Sequence, residues 1–248
     1  MGRKAFDVNR SRLPIKIKPM HLALAAALLV LIAVGILAVR PWQTRLSTGR
    51  PAESQARLTQ AQASWLLLSW YEQQKPDLNP QVTVPVREMT TDEIWNRMGV
   101  QVFQVSGDIF MYDTFLVTGS QVTPLGIGFG GVGVTSLAVT DLDRNNQPEL
   151  LYAYSFGSGI HQSRLGMYAP TLRANAILEA NTRLLNGDLL LAKVDDFQVT
   201  VEAEMSAPGS LRIGRAALQG QGDAKMLVLV LDPGLPQNIM DNLKTAPG

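Results

Sequence analysis

The chain has 248 residues, which is enough for one ordinary domain with a membrane anchor or for two small domains. Its 22 lysines and arginines nearly balance its 21 acidic residues, so the overall charge gives no reason to expect nucleic acid as a partner. The lack of cysteine excludes disulfides, thiolate metal sites and a cysteine nucleophile, and it leaves the cellular compartment open.

Residues 22–39 predict a membrane anchor. This stretch carries no charge, and as a helix it is just long enough to cross about 30 Å of hydrocarbon. Basic residues are more frequent before it than over a comparable span after it, which predicts a cytoplasmic N-terminus and an extracytoplasmic remainder. These basic residues are Arg3, Lys4, Arg10, Arg12, Lys16 and Lys18 before the stretch, and Arg40, Arg45, Arg50 and Arg57 after it.

We therefore predict a single-pass protein of the cell membrane, with a basic cytoplasmic segment at 1–20 and a transmembrane helix at 21–39. Two alternatives are a cleaved signal peptide and a buried helix of a soluble protein. The apolar region of a signal peptide usually has about 7 to 15 residues behind a short basic start, whereas this one is longer and follows a longer start. The lipid bilayer, contacted through 22–39, is thus the first expected partner.

Residues 40–88 predict a linker that contains a short helix. A polar segment leads into an apolar stretch at 63–71, whose Trp65, Leu66, Leu68 and Trp70 are expected either to pack on the domain or to lie on the bilayer. Packing is the expected role, because most apolar helix faces belong to a core. The prolines that follow prevent a long helix.

Residues 89–248 predict a mainly β, or α+β, extracytoplasmic domain. A short helix is expected to begin at Thr90 or Thr91, where a side chain can accept amide hydrogen bonds, and to end near Gly99. A second helix is expected at 172–185, because apolar residues recur there at helical spacing. Runs rich in Val, Phe, Tyr, Leu and Thr predict strands at 100–105, 109–117, 135–140, 150–155, 189–193, 197–204 and 226–231.

The sharpest local pattern is an acidic loop at 141–149. Side-chain oxygens recur there at Asp141, Asp143, Asn145 and Glu149, and Gln147 can add its backbone carbonyl. Such alternation suits calcium, which takes six to eight oxygen ligands at about 2.3 to 2.6 Å. Asn146 occupies the position of the sharp turn, where asparagine tolerates the left-handed conformation. The twelfth position of the loop is Tyr152 instead of glutamate, so the loop is not an EF-hand.

A DxDxNxxxE loop between two strands resembles the calcium loops of FG-GAP and VCBS-type repeats, which build integrin-like β-propellers. The resemblance implies that Asp141, Asp143, Asn145 and Glu149 bind calcium. The sequence has one such loop and no repeat of fixed period, so we expect one propeller-like hairpin within another β fold. The alternative is a solvated hairpin turn that is rich in Asp and Asn and binds no metal.

Two glycine clusters carry weaker signals. Gly126, Gly128 and Gly131 match GxGxxG, but the following residues predict a strand instead of the helix that a dinucleotide site needs, so close backbone packing is the expected role. Downstream, Ser158 and His161 suggest a hydrolase with Asp141 or Asp188 as the orienting acid. No GxSxG motif is present, and we predict no catalytic residues.

Together these patterns predict a membrane-anchored extracytoplasmic binding or scaffolding module, not an enzyme, with calcium in a structural role. One alternative is an envelope hydrolase that uses the loop of Ser158 and His161. Another is an accessory subunit of a membrane complex, which would dock on another envelope protein through 65–71.

Overall fold

The computed structural model describes residues 56–74, 85–106, 112–171, 176–205 and 209–245. The predicted cytoplasmic segment, 1–20, and the predicted transmembrane helix, 21–39, lie outside these ranges. Among the residues that are described, no helix combines the length and the apolar character needed to cross a bilayer.

The described residues are mostly β-strand, as the sequence predicted. The helices are α1 (Gln60–Gln74), α2 (Asp92–Met98) and α3 (Gln237–Asn242), and a 3-10 helix covers Gly222–Ala224. The strands are β1 (Val86–Glu88), β2 (Gln101–Val105), β3 (Thr114–Thr118), β4 (Gln121–Pro124), β5 (Gly133–Thr140), β6 (Glu149–Phe156), β7 (Gln162–Ala169), β8 (Ala176–Leu185), β9 (Gly187–Asp195), β10 (Gln198–Met205), β11 (Ser210–Gln219), β12 (Met226–Leu231) and β13 (Leu243–Thr245).

The strands form three antiparallel sheets. The first sheet has the order β1-β2-β3-β4, the middle sheet β13-β8-β7-β6-β5 and the third sheet β12-β11-β10-β9. Most neighbours in each sheet are also consecutive in the chain, so the sheets are built largely from hairpins.

Packing between the layers explains why so many strands are buried. The largest core joins the middle and third sheets, for example Leu165 with Val201 and Ile213. A second core lies on the opposite face of the middle sheet, where Tyr152 belongs to the same cluster as Val102 of the first sheet. The middle sheet is therefore covered on both faces, which is why β6 reads as a nearly continuous apolar run.

α1 covers the outer face of the first sheet. Its Leu67 and Tyr71 are buried in a third core with Phe103 and Phe115 of β2 and β3. The predicted packing role of 63–71 is confirmed for Leu66, Leu68 and Trp70, which are partly buried in this core, whereas Trp65 is 73% exposed. Packed structure thus begins before residue 89, where we predicted that the β domain starts.

The helix predicted at 172–185 is wrong over 176–185, which forms β8, while 172–175 lie outside the described residues. Side chains along β8 alternate between two cores. Leu178 and Leu184 belong to the core with the third sheet, whereas Ile177 belongs to the core on the opposite face. Pairing with β7 and β13 uses both edges of this strand and the two cores cover its faces, so the period of two prevails over helical spacing.

The other predicted helix is confirmed as α2. The Thr91 side chain accepts a hydrogen bond from the Ile94 amide at 3.2 Å, and Gly99 ends the helix with a φ of 64°. The strand predicted at 226–231 coincides with β12. Strand β7 was missed because Arg164 and Gly166 interrupt its apolar pattern. Gly166 is required there, because an added Cβ would lie 2.2 Å from the ring of Tyr152.

Candidate metal site

The acidic loop joins β5 and β6, as the sequence predicted. Thr140, the last residue of β5, pairs with Glu149, the first residue of β6. This register places Asp141 and Glu149 at the same end of the hairpin, although eight positions separate them in the chain.

Asp141 organises the loop through backbone amides. Its two carboxylate oxygens accept hydrogen bonds from the amides of Asn145 and Asn146, at 2.9 and 3.0 Å. Asn146 has a φ of 65°, which confirms the left-handed turn predicted for it. Arg144 also has a positive φ, of 59°. These contacts turn the chain tightly enough to bring Asp143 back towards Asp141.

Three carboxylates meet in this loop. Asp141, Asp143 and Glu149 each offer one oxygen, and these oxygens lie within 4.8 Å of one another. Two ligands on opposite sides of one calcium ion are separated by about 4.6 to 5.2 Å, so the cluster is compact enough for a shared cation. Asp141 is 5% exposed and Glu149 is fully buried.

The two carboxylate oxygens of Glu149 differ in their hydrogen bonding. Its Oε2 accepts a hydrogen bond from the Leu142 amide at 2.9 Å, but its Oε1 is buried and has no hydrogen-bond partner among the described residues. Burial raises the pKa of Glu149 to about 7; the Leu142 amide opposes this rise, and the charges of Asp143 and Asp141 add to it. When protonated, Glu149 can donate a hydrogen bond to Asp143.

A lysine from the third sheet completes the site. Lys225, which directly precedes β12, places its Nζ 2.6 Å from Oδ2 of Asp143, whose side chain is 4% exposed. It brings one positive charge to a cluster of three carboxylates. No local sequence pattern predicts this contact, because Lys225 lies 82 residues after Asp143.

The two remaining predicted ligands lie at the exposed side of the loop. Asn145 donates from Nδ2 to Oδ2 of Asp143 at 3.0 Å, and its Oδ1 accepts a hydrogen bond from the Gln147 amide at 2.7 Å. The Asn145 side chain therefore closes the loop and touches one of the carboxylates. Metal binding by Asn145 and by the Gln147 carbonyl stays a prediction.

The residues of the hydrolase alternative are only partly brought together. His161 Nε2 lies 2.7 Å from Oδ1 of Asp188, so this predicted pair forms. Ser158 is exposed, and within the described part of the chain no hydrogen bond joins it to His161. Asp141 belongs to the acidic loop instead.

The glycine cluster at 126–131 serves close backbone packing, as predicted. A Cβ added at Gly131 would lie 2.2 Å from the carbonyl oxygen of Ser155, and one added at Gly130 would lie 2.6 Å from the amide nitrogen of Ser158. The GxGxxG match therefore reflects a loop that packs closely against the end of β6 and the residues that follow it.

Comparisons of the chain with protein-family models, curated proteins and solved structures found no match. The chemistry of the site therefore follows from its donor atoms. The cluster of Asp141, Asp143 and Glu149 can hold a metal ion. Carboxylate oxygens favour hard cations such as calcium, magnesium and manganese, whereas zinc and iron chemistry typically uses imidazole or thiolate ligands.

Proposed function

We propose that the loop between β5 and β6 binds one calcium ion, which fixes the loop within a membrane-anchored extracytoplasmic binding module. The observation that carries this proposal is the buried Oε1 of Glu149, which has no partner among the described residues and belongs to a carboxylate beside two others. An ionised oxygen in that position is costly unless a cation or a proton satisfies it.

Calcium is favoured over magnesium by the form of the loop. Magnesium demands a nearly ideal octahedron at about 2.0 to 2.1 Å and usually keeps several waters, whereas calcium accepts irregular sets of carboxylate and carbonyl oxygens. Asp141, Asp143 and Glu149 supply three such donors, and Asn145 and the Gln147 carbonyl are the proposed remainder. The resemblance to FG-GAP and VCBS-type loops supports the same ion.

The role of the ion is structural. Asp141 and Glu149 are almost entirely buried, so the site has little room for a substrate at an open coordination position. Fixing the loop also fixes two residues that belong to it, the partly buried Leu142 and the exposed Arg144. We propose that the module is tethered through 22–39 and that its task is binding or scaffolding outside the cytoplasm.

Calcium titration of the purified full-length chain, freed of metal and then of chelator, tests the metal site by isothermal calorimetry. We expect saturable binding of calcium, weaker binding of magnesium, and loss of calcium binding in Glu149→Gln and Asp141→Asn. Asp232→Asn is the matched control, because Asp232 pairs with Arg212 away from the loop. Absence of calcium binding, or binding that survives Glu149→Gln, would contradict the proposal.

The proposed anchor has its own test. The mass of the chain extracted from membranes is expected to equal that of the full sequence. Loss of about the first 38 residues would indicate a cleaved signal peptide instead.

A further inference from the structure

A small surface pocket of about 200 Å³ lies beside the acidic loop and over the third sheet. We propose that this pocket, which we call the arginine pocket, binds a carboxylate or phosphate group of a ligand through Arg144 and Arg215. Its polar lining also includes Asp195 and Gln198, and Phe197 and Leu218 give it apolar walls. The proposal does not depend on calcium.

The two arginines of the pocket differ from the other cations in the described ranges. Within the described ranges, neither guanidinium makes a hydrogen bond or an ion pair, and the side-chain contact of Arg144 is with the ring of Phe197. Every other described lysine and arginine has such a side-chain contact: Arg57, Arg87, Arg97, Arg164, Arg183, Lys193, Arg212, Lys225 and Lys244. Two arginines that line one pocket and whose side chains are unpaired among the described residues are therefore an unusual feature of this surface.

The fold fixes the backbone of both arginines. Arg144 lies in the acidic loop with a left-handed backbone, and its guanidinium carbon is 5.0 Å from the centre of the Phe197 ring. This cation–π contact leaves the N–H groups free while it restrains the side chain. Arg215 belongs to β11, where its backbone pairs with Thr200 and Val230. The loop and the sheet thus each contribute one arginine to the pocket lining.

The charge of the residues that line the pocket favours an anion. Asp195 is the one acidic residue among those that line it, and its Oδ1 already accepts a hydrogen bond from the Phe197 amide at 2.7 Å. Two guanidinium groups outweigh this carboxylate. Guanidinium groups bind carboxylates and phosphates in a bidentate manner.

The size of the pocket limits the part of a ligand that it can enclose. Sites for drug-sized molecules have volumes of about 300 to 1,000 Å³. A pocket of about 200 Å³ suits one anionic group with a short apolar neighbour, such as an acidic side chain or a phosphate group.

Nuclear magnetic resonance titration of the metal-free full-length chain tests the pocket, with inorganic phosphate followed by its phosphorus signal and malonate by its carbon signal. We expect saturable binding that weakens about tenfold in Arg215→Gln and in Arg144→Gln, because each variant removes charge-assisted hydrogen bonds. Arg212→Gln is the matched control on the same strand, since Arg212 is paired with Asp232. Asp195→Asn is expected to tighten binding, because it removes the opposing charge.

The outcomes separate the possible sources of the anion. Binding of phosphate alone assigns a phosphate-bearing ligand, and binding of malonate alone assigns a carboxylate. Saturation by neither probe, or equal weakening in Arg212→Gln and Arg215→Gln, would overturn the proposal. Glu149→Gln, which removes a proposed calcium ligand, is expected to keep phosphate binding, so a failure of the metal site does not count against the pocket.

Discussion

Glu149 combines two properties that oppose each other in a folded protein. Its carboxylate is fully buried, and one of its oxygens lacks a hydrogen-bond partner among the described residues. Two further carboxylates lie beside it. A proton or a metal ion therefore has to compensate for this residue, and the solution conditions decide which of the two is bound.

This property gives the metal-free chain a distinctive pH dependence. The pKa of Glu149 is about 7 in the folded chain and near its ordinary value of 4.5 in the unfolded one, so between these values the folded state holds more protons. The free energy of unfolding is therefore expected to fall by roughly 3 kcal/mol as the pH rises from 4.5 to 7. Chemical denaturation of the metal-free full-length chain at several pH values measures this slope.

Glu149→Gln is the control for the pH experiment, because it keeps the shape of the side chain and cannot ionise. The variant is expected to lack this contribution to the slope and, above pH 7, to be more stable than the metal-free parent chain. Saturating calcium is expected to remove this difference in stability between the variant and the parent chain, because the bound ion compensates for the ionised Glu149 of the parent chain. An equal slope in both chains would show that Glu149 titrates normally.

The acidic residues of the site could be predicted from the sequence because they lie within one hairpin. Alternating oxygens at Asp141, Asp143 and Glu149 are visible in nine consecutive residues, and the local turn at Asn146 follows from the preference of asparagine for left-handed backbone. Lys225 could not be predicted, because its place beside Asp143 depends on how the third sheet packs on the middle sheet.

At the scale of elements, the loop is a junction between two sheets. The hairpin of β5 and β6 belongs to the middle sheet, whereas Lys225 enters the loop from the start of β12 in the third sheet. A second contact also joins these two sheets. The Asp141 amide donates a hydrogen bond to the carbonyl oxygen of Asp196, which lies in the turn between β9 and β10. The state of the loop and the packing of the sheets are therefore coupled.

Lys225→Met tests the competition between the lysine and a metal ion. Calcium has to share Asp143 with Lys225 or displace it, so the variant is expected to bind calcium about tenfold more tightly. Without metal, loss of the counter-charge is expected to destabilise the fold by about 1 to 2 kcal/mol. Calorimetry and denaturation of the full-length chain measure the two effects.

Lys244→Met is the matched control for this experiment, because the Lys244 side chain contacts the backbone of Asp241 away from the loop. Calcium affinity is expected to stay unchanged in that variant. If Lys225→Met also leaves calcium affinity unchanged or lowers it, the lysine does not compete for the site.

Strand β8 shows why elements are harder to predict than motifs. Its apolar residues fit helical spacing, and yet they also alternate well enough to face two cores. Pairing with β7 and β13 stabilises the strand over the helix, and these two partners lie outside the segment itself. Local capping, by contrast, was sufficient to predict α2. Thr91 caps the first turn of the helix and Gly99 ends the last turn, so both signals are local in the sequence.

At the scale of the whole molecule, the described part of the chain is a stack of α1 and three sheets. The mainly β class follows from the sequence, since Val-rich and aromatic runs recur throughout. The order of the layers does not, because it depends on which apolar faces meet. The middle sheet has apolar residues on both faces and lies between the other two.

α1 is expected to contribute to stability as part of this stack. Leu67 is fully buried against the first sheet, so Leu67→Ala is expected to destabilise the fold by about 2 to 5 kcal/mol. Trp65→Ala is the control on the same helix, because Trp65 is largely exposed. Thermal denaturation of the full-length chain compares the two, and similar losses would contradict the difference in burial between Leu67 and Trp65.

The contact between Lys225 and Asp143 can form only late in the synthesis of the chain. A ribosome completes the hairpin of β5 and β6 well before it reaches Lys225, so the newly made carboxylates first exist without their internal counter-charge. During that interval water, dissolved cations or protons take the place of the lysine around them. The environment that the nascent hairpin meets can therefore influence how the last sheet closes over it.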